Sequence, residues 1–232
     1  MRHLVTSGLR LFFAVVEMSS VDDDDEPQLS AHTLAALNDF LMEQKIEDQN
    51  LQEAQEGDLE HFTPQENWQL SQFWYDDKTA TRLAEEAIVI AGQNGRIACI
   101  SSPTVYSKIR QIKPSTCTAK CLEFDARFKC FGEDFLLYDY NQPLELPQDW
   151  KQSFDVILVD PPFLAEECLT KTAQSVKFLA KDKIILCTGS IMEELAGRLL
   201  GTHACQFRPM HKGLQNDFKC YINYDQSTLN KD

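Results

Sequence analysis

A short apolar run that ends at an acid and two prolines does most to restrict the fold of this chain. Phe154–Val159 has the composition of a strand that is buried on both faces of a parallel sheet. It is followed at once by Asp160-Pro161-Pro162-Phe163. Proline lacks an N–H and fixes φ near about −65°, so the strand must end there in a stiff turn. Because ligands bind at the carboxyl ends of strands in open α/β sheets, we predict that this turn lies in a functional site.

Other short apolar runs alternate with segments of helical pattern along the rest of the chain. The predicted strands are 96–101, 121–124, 135–138, 154–159, 184–188, 204–208 and 218–224. The predicted helices among them are 77–90, 104–112, 166–179 and 192–200, with 125–130 as a turn or short helix. This alternation predicts an α/β fold with a doubly wound, mostly parallel sheet. The last two strands are joined by a loop that contains Gly213 and Asn216, which predicts an antiparallel hairpin at the C-terminal side.

The chain before this domain has a different composition. Residues 1–28 carry a run of acids at 22–26, and we predict a disordered acidic extension. Because Met18 offers a second start, we interpret 1–17 as an isoform or gene-model extension rather than a targeting segment. We predict that 29–66 form an N-terminal helix and a linker at 47–66, and that 67–232 form the main domain. The helix is expected to start at Ser30 and to carry an apolar stripe at Leu34, Leu37, Leu41 and Ile46.

Charge and cysteine usage restrict the partners and the compartment. The chain has 22 Lys and Arg against 36 Asp and Glu, a formal charge of −14. An acidic surface repels phosphate backbones, so we expect no stable nucleic-acid binding. A basic protein partner would be attracted to this surface, but the charge by itself is more often explained by solubility. The eight cysteines form no CxxC pair, which favours reduced thiols in a cytoplasmic protein without a zinc site. No stretch is long enough for a membrane span, and we expect a monomer.

Acids end three successive predicted strands, and together they favour a bound adenosine. The first is Glu123 or Asp125, at the position where an acid commonly binds ribose hydroxyls. Asp139 follows the third strand, where it could accept from an adenine amino group, and Asp160 follows the fourth. The alternative for each acid alone is a turn-forming Asp or Glu that caps its own backbone. The first strand is followed by Ser101-Ser102-Pro103-Thr104 rather than by a glycine-rich phosphate loop, which favours a cofactor without phosphates.

An aromatic segment precedes the first strand of the domain. It spans Trp68–Tyr75, and two interpretations remain open: a lid over cofactor or substrate, or a helix that packs in the core. The residues of the lid interpretation are Trp68, Gln72, Phe73, Trp74 and Tyr75. Near the last strands, His203 and His211 could act as a catalytic base, but we favour surface histidines or histidines with satisfied polar contacts.

The turn after the fourth strand resembles a motif of S-adenosylmethionine-dependent methyltransferases. Asp160–Phe163 matches their [Asn/Asp]-Pro-Pro-[Tyr/Phe] motif, which occurs in enzymes that act on adenine, glutamine-amide and lysine nitrogens. Four blocks resemble more closely the eukaryotic elongation factor 1-alpha lysine methyltransferases, a family first described as putative adenine-N6 methyltransferases. These blocks are Glu66–Tyr75, Phe131–Phe135, Asp160–Leu164 and Leu186–Gly189. The resemblance extends from about residue 18 to residue 224.

This resemblance implies a seven-stranded sheet of the class I methyltransferase type, S-adenosylmethionine as cofactor and elongation factor 1-alpha as substrate. It implies that Ser101, Ser102 and Pro103 lie along the methionine part of the cofactor. Glu123 or Asp125 would hold the ribose, and Asp139 the adenine. The target nitrogen would be held by the catalytic turn, Asp160, Pro161, Pro162 and Phe163, with Asp160 also next to the cofactor. The alternatives are adenine-N6 methylation of nucleic acid and a non-catalytic cofactor-binding protein.

Overall fold

Seven strands and five α-helices form the part of the chain that the structure describes. The computed structural model describes residues 30–55, 62, 64–213 and 217–230. The predicted extension at 1–28 lies outside these residues. The strands are β1 (Arg96–Ile100), β2 (Thr118–Glu123), β3 (Phe135–Leu137), β4 (Phe154–Val159), β5 (Ala180–Gly189), β6 (His203–Ala204) and β7 (Phe218–Ile222). The helices are α1 (Ala31–Gln55), α2 (Asp77–Ala91), α3 (Pro103–Ile112), α4 (Glu166–Leu179) and α5 (Glu193–Leu200).

The strands form one sheet in the order β3-β2-β1-β4-β5-β7-β6. β1 to β5 pair in parallel, whereas β7 is antiparallel to both β5 and β6. The predicted mostly parallel sheet of seven strands with an antiparallel C-terminal pair is therefore confirmed. The strand order reverses between β1 and β4, and in open α/β sheets this switch point is where a binding crevice opens.

The two faces of the sheet are covered by different helices, because side chains alternate along each strand. On β4, Val156 and Leu158 face a core that includes α2 and α3. Ile157 and Val159 face a second core that includes α4 and α5. All four side chains have no exposed surface, and burying each contributes about 1.5–3 kcal/mol. This double burial explains why β4 is a nearly continuous apolar run.

Ser30 caps α1 as predicted, and Asp76 caps α2, but the predicted length of α1 was too short. Ser30 Oγ accepts the backbone N–H of Thr33 at 3.1 Å, and Asp76 caps α2 by accepting the N–H of Thr79 at 2.7 Å. The prediction of a linker from residue 47 was wrong, since α1 continues to Gln55. Residues 47–55 are polar but rich in Glu and Gln, which are good helix formers. The large apolar side chains of α1 are exposed: Leu34, Leu37, Phe40, Leu41, Met42 and Ile46.

The C-terminal pair is shorter than predicted, and the end of the described chain binds to α2. Cys205 still donates its N–H to β7, but the N–H of Phe207 donates to Leu229 at 3.1 Å, so the chain leaves the sheet after β6. Glu86 of α2 is fully buried and accepts hydrogen bonds from Tyr224, Ser227 and Thr228. This carboxylate therefore fixes residues 224–228 against α2.

All eight cysteines are free and seven of them are buried, in agreement with the predicted reduced thiols. Within the described ranges, no helix combines the length and the apolar character that crossing a membrane requires.

Candidate active site

A cavity of about 610 Å³ lies at the carboxyl ends of the parallel strands. This volume is in the range of small-molecule sites. The predicted site residues that line it are Gln72, Phe73, Trp74, Ser101, Ser102, Pro103, Glu123, Asp139, Asp160, Pro161, Pro162 and Phe163. Asp125 and Tyr75 are not among the lining residues, and the side chain of Trp68 lies outside the described part of the chain. Topology thus brings most of the predicted residues to one crevice.

The connection from β1 to α3 forms one wall of the cavity. Ser101 has φ of 52°, in the left-handed region that residues other than glycine rarely adopt. Its N–H donates to Leu122 O at 2.8 Å, which holds this conformation across β1 and β2. Pro103 then starts α3 at a position where a missing N–H costs nothing. The tight turn therefore forms here without glycine.

Glu123 is the acid of β2 that faces the cavity. It is 7% exposed, and its Oε1 accepts the backbone N–H groups of Phe124 at 3.0 Å and Asp125 at 3.3 Å. Burial raises the pKa of Glu123 to about 7, and the charges of Asp125 and Asp160 add to this rise. The two backbone hydrogen bonds lower the pKa but do not outweigh the burial. Groups that donate hydrogen bonds to this carboxylate would favour its charged form. Ribose hydroxyls are donors of this kind.

Asp125 has a structural role that the sequence left open. Its Oδ2 accepts from Gln72 Nε2 at 2.8 Å and from Arg127 Nε at 2.9 Å, and its Oδ1 accepts the backbone N–H of Arg127 at 2.9 Å. Burial alone would raise the pKa of Asp125, but the hydrogen bonds from Arg127 and Gln72 outweigh it and lower the pKa below its usual value. Asp125 thus fixes the aromatic segment, and Glu123 is left as the acid available to a ligand.

Asp139 is a turn-forming acid that also lines the cavity. Its Oδ1 accepts the N–H of Asn141 at 2.8 Å, as expected of a turn-forming acid, and the residue also lines the cavity. Nearby, the ring of Tyr140 contacts the ring of Phe163 edge to face, with 5.8 Å between centroids. Phe163 is 41% exposed, so this aromatic pair lies at the rim of the cavity.

The turn after β4 presents the carboxylate of Asp160 to the cavity. The N–H of Asp160 donates to Ile100 O at 3.1 Å, which extends the β1–β4 pairing by one residue. Tyr75 Oη donates to Asp160 Oδ2 at 2.5 Å. Burial raises the pKa of Tyr75 well above its usual value, and the charge of Asp160 adds to this. The phenol therefore stays protonated and remains a donor to Asp160.

The aromatic segment combines packing with lining rather than forming a helix. Within this segment Trp68–Leu70 adopt a 3-10 turn, and the chain that follows is irregular up to the bridge at Tyr75. Trp74 Nε1 donates to Pro64 O at 2.7 Å, and its indole packs edge to face on Phe128. The helical alternative was therefore wrong. Gln69, Gln72 and Phe73 line the cavity, as the lid interpretation requires.

His211 is a site residue that sequence reasoning considered as a base but did not favour. His203 is exposed, as predicted, but the side chain of His211 is only 4% exposed, lines the cavity and places Nε2 3.8 Å from Asp160 Oδ2. The interpretation of His211 as a surface residue was therefore wrong. Its loop has no periodic pattern that could have revealed this placement.

Comparisons with known proteins identify methyltransferases, although the family description and the names of the relatives give different acceptors. Residues 66–226 match the family described as "Probable N6-adenine methyltransferase". A Homo sapiens protein named EEF1A lysine methyltransferase 1 is 50% identical over 90% of this chain and 97% of its own length. The Saccharomyces cerevisiae protein named Protein-lysine N-methyltransferase EFM5 is 37% identical over 86% of this chain and 93% of its own length.

Among solved structures, a branched-chain polyamine synthase mutein from Thermus thermophilus is similar, with a TM-score of 0.52 and 12% identity. The similarity covers 88% of this chain and 70% of that chain, which was solved with N4-aminopropylspermidine and 5′-methylthioadenosine. At this level of identity, the similarity supports the fold alone.

Proposed function

This chain belongs both to the family described as "Probable N6-adenine methyltransferase" and to the protein-lysine N-methyltransferases, and on that premise we propose that it methylates a lysine of elongation factor 1-alpha. We propose S-adenosylmethionine as the methyl donor. The observation that carries the choice of acceptor is the 50% identity, over 90% of the chain, to a protein named for this reaction.

Charge supports a protein acceptor over a nucleic acid. At −14, the chain would repel a phosphate backbone and attract a basic translation factor. A duplex acceptor would also require a base to be turned out of its stack, which costs a few kcal/mol before any contact is gained.

The free cysteines support a cytoplasmic location, where thiols stay reduced.

The cavity has the donors and acceptors that the proposed methyl donor requires. Glu123 would accept hydrogen bonds from the ribose hydroxyls, and Asp139 would accept from the adenine amino group. The wall formed by Ser101–Pro103 would flank the methionine part. When bound, S-adenosylmethionine supplies an activated methyl group on a sulfonium. Catalysis by the chain then depends mainly on holding the acceptor nitrogen in line with that group.

The turn Asp160–Phe163 supplies the acceptor side of the cavity. A lysine side chain is an ammonium in water, with a pKa of about 10.4, and has no lone pair until it loses a proton. Because Tyr75 engages Oδ2 of Asp160, the other carboxylate oxygen is left to accept a hydrogen bond from the amine. The Pro161 carbonyl is a second acceptor in the same turn. Phe163 would screen the nitrogen from water and lower the pKa of the amine by desolvation.

The proposal is tested with labelled S-adenosylmethionine and either purified elongation factor 1-alpha or cell lysate, with and without nuclease. We expect label on a lysine of the factor, located by mass spectrometry and resistant to nuclease. Asp160→Asn should lower kcat at least about 10²-fold, whereas the exposed Asp149→Asn should leave it unchanged. Label in nucleic acid would establish the adenine alternative instead. Cofactor binding without transfer to any protein would support a non-catalytic role.

A further inference from the structure

Three side chains from distant parts of the chain meet beside the catalytic turn. The Tyr75 hydroxyl and the His211 imidazole both approach one oxygen of Asp160, at 2.5 Å and 3.8 Å. The imidazole also stacks on the phenol, with 4.6 Å between centroids and 28° between planes. Asp160 and His211 line the cavity, whereas Tyr75 does not. The imidazole therefore lines the cavity beside the carboxylate that the acceptor nitrogen would approach.

The position of His211 is fixed by the backbone and by aromatic packing. Tyr75 and His211 form an antiparallel β-bridge, and the N–H of Lys212 donates to Trp74 O at 2.9 Å. On the other side, the ring of Phe218 packs edge to face on the imidazole at 4.6 Å. Neither contact uses a ring nitrogen of His211. The fold thus orients the imidazole through contacts that do not occupy its ring nitrogens, with Nε2 on the side of Asp160.

We propose that His211 accepts the proton that the substrate lysine must lose before methyl transfer, an inference that rests on the proposed function. One N–H bond of the ammonium breaks, and its electron pair stays on the nitrogen as the lone pair that attacks the methyl group. The proton forms a new N–H bond at Nε2 of His211. The resulting imidazolium lies 3.8 Å from the Asp160 carboxylate and passes its proton to water after the product leaves.

The neighbouring groups are less suited to this role. Ordinary carboxylic acids hold a proton poorly at neutral pH, whereas imidazoles change charge near it and are frequent general bases. Tyr75 is already a protonated donor to Asp160. The titratable groups that face His211 are Asp160 from the end of β4 and Tyr75 from the aromatic segment, while Phe218 of β7 carries no charge. Tyr75 is therefore a positioning residue and His211 the base.

The test is the dependence of kcat on pH for His211→Gln, with elongation factor 1-alpha as substrate. A general base contributes about 10²–10⁴-fold, so we expect a loss of at least about 10²-fold at pH 7. The loss should shrink by about tenfold per pH unit up to pH 9, because a growing fraction of the lysine then arrives already deprotonated. Binding of S-adenosylmethionine, measured by calorimetry, and the melting temperature should remain near those of the wild type.

Three further variants separate chemistry from structure. Tyr75→Phe keeps the stacked ring and removes the donor to Asp160, so its loss of kcat should not depend on pH. His203→Gln, at an exposed histidine of β6, should behave as the wild type. If His211→Gln does not fold, His211→Phe keeps a ring on Tyr75 and should show the same pH-dependent loss.

Two outcomes would overturn the inference in different ways. A His211 variant that folds and shows a pH-independent loss, or a loss of less than tenfold at pH 7, assigns His211 a structural role only. A wild-type chain that methylates no lysine refutes the proposed function and this inference with it.

Discussion

Replacing Glu123 by glutamine should stabilise the ligand-free protein at neutral pH, although the residue lies in the active site. The carboxyl is buried, and its pKa is about 7 instead of the ordinary 4.5. One pKa unit corresponds to about 1.4 kcal/mol, so the difference amounts to about 3 kcal/mol of destabilisation when the group is fully charged. Glutamine keeps an oxygen that can accept from Phe124 and Asp125 and carries no charge.

The sign of the pH dependence follows from the raised pKa. Between pH 4.5 and about pH 7 the folded chain retains a proton on Glu123 that the unfolded chain has lost. The wild type therefore loses stability as pH rises through this window, and the penalty is complete above it. The advantage of Glu123→Gln should grow from near zero at pH 4, to less than about 1 kcal/mol at pH 5, to about 3 kcal/mol at pH 8.

Urea unfolding at pH 5 and pH 8, without ligand, measures this difference as a free energy of unfolding for both proteins. The matched control is Glu145→Gln, at an exposed acid, which should change stability by less than about 0.5 kcal/mol at either pH. A Glu123→Gln protein that is less stable than the wild type at pH 8 would refute the reasoning. A gain in stability of Glu123→Gln that has the same size at pH 5 and at pH 8 would refute it as well.

Three more predictions concern the ligand, the core and the N-terminus. Binding of 5′-methylthioadenosine should tighten about tenfold from pH 6 to pH 8, because ribose hydroxyls favour the charged form of Glu123. Calorimetry should show no such trend for Glu123→Gln. An affinity of the wild type that does not change with pH would contradict the assignment of Glu123 to the ribose. Glu86→Ala should lower the free energy of unfolding by at least about 3 kcal/mol, because it leaves buried hydrogen-bond donors unpaired. The control Glu85→Ala, at an exposed acid, should change it by less than about 0.5 kcal/mol. Equal effects of the two substitutions in thermal melts would argue against a stabilising role of the hydrogen bonds to Glu86. Removing residues 1–17 should leave kcat unchanged, and a large loss would show that this segment takes part in function.

The sheet and the turn after β4 were predictable because local chemistry specifies them. Phe154–Val159 could only be a buried strand, and Asp160-Pro161-Pro162 could only end it. The carboxyl ends of parallel strands meet at one edge, so naming the strands also named most of the cavity wall. The extent of α1 was not predictable by the same reasoning, since polar Glu and Gln residues suit both a linker and a solvated helix.

The choice between Glu123 and Asp125 required the structure. Both acids are near the end of β2, and only the contacts of Asp125 with Gln72 and Arg127 show which one is already engaged. The placement of His211 was equally hidden, because it depends on a single β-bridge between two irregular segments. Contacts of this kind leave no periodic signal in the sequence.

The β-bridge between Tyr75 and His211 also sets when a newly made chain can become active. β1 to β4 and Glu123 leave the ribosome well before His211, which lies near the end of the 232 residues. At about 5–20 residues per second, translation from Asp160 to His211 takes several seconds. During that time the Asp160 carboxylate is already made, but the imidazole that lies beside it is not. Chains that stop between Asp160 and His211 would lack this imidazole, and on the proposed mechanism they would methylate no lysine.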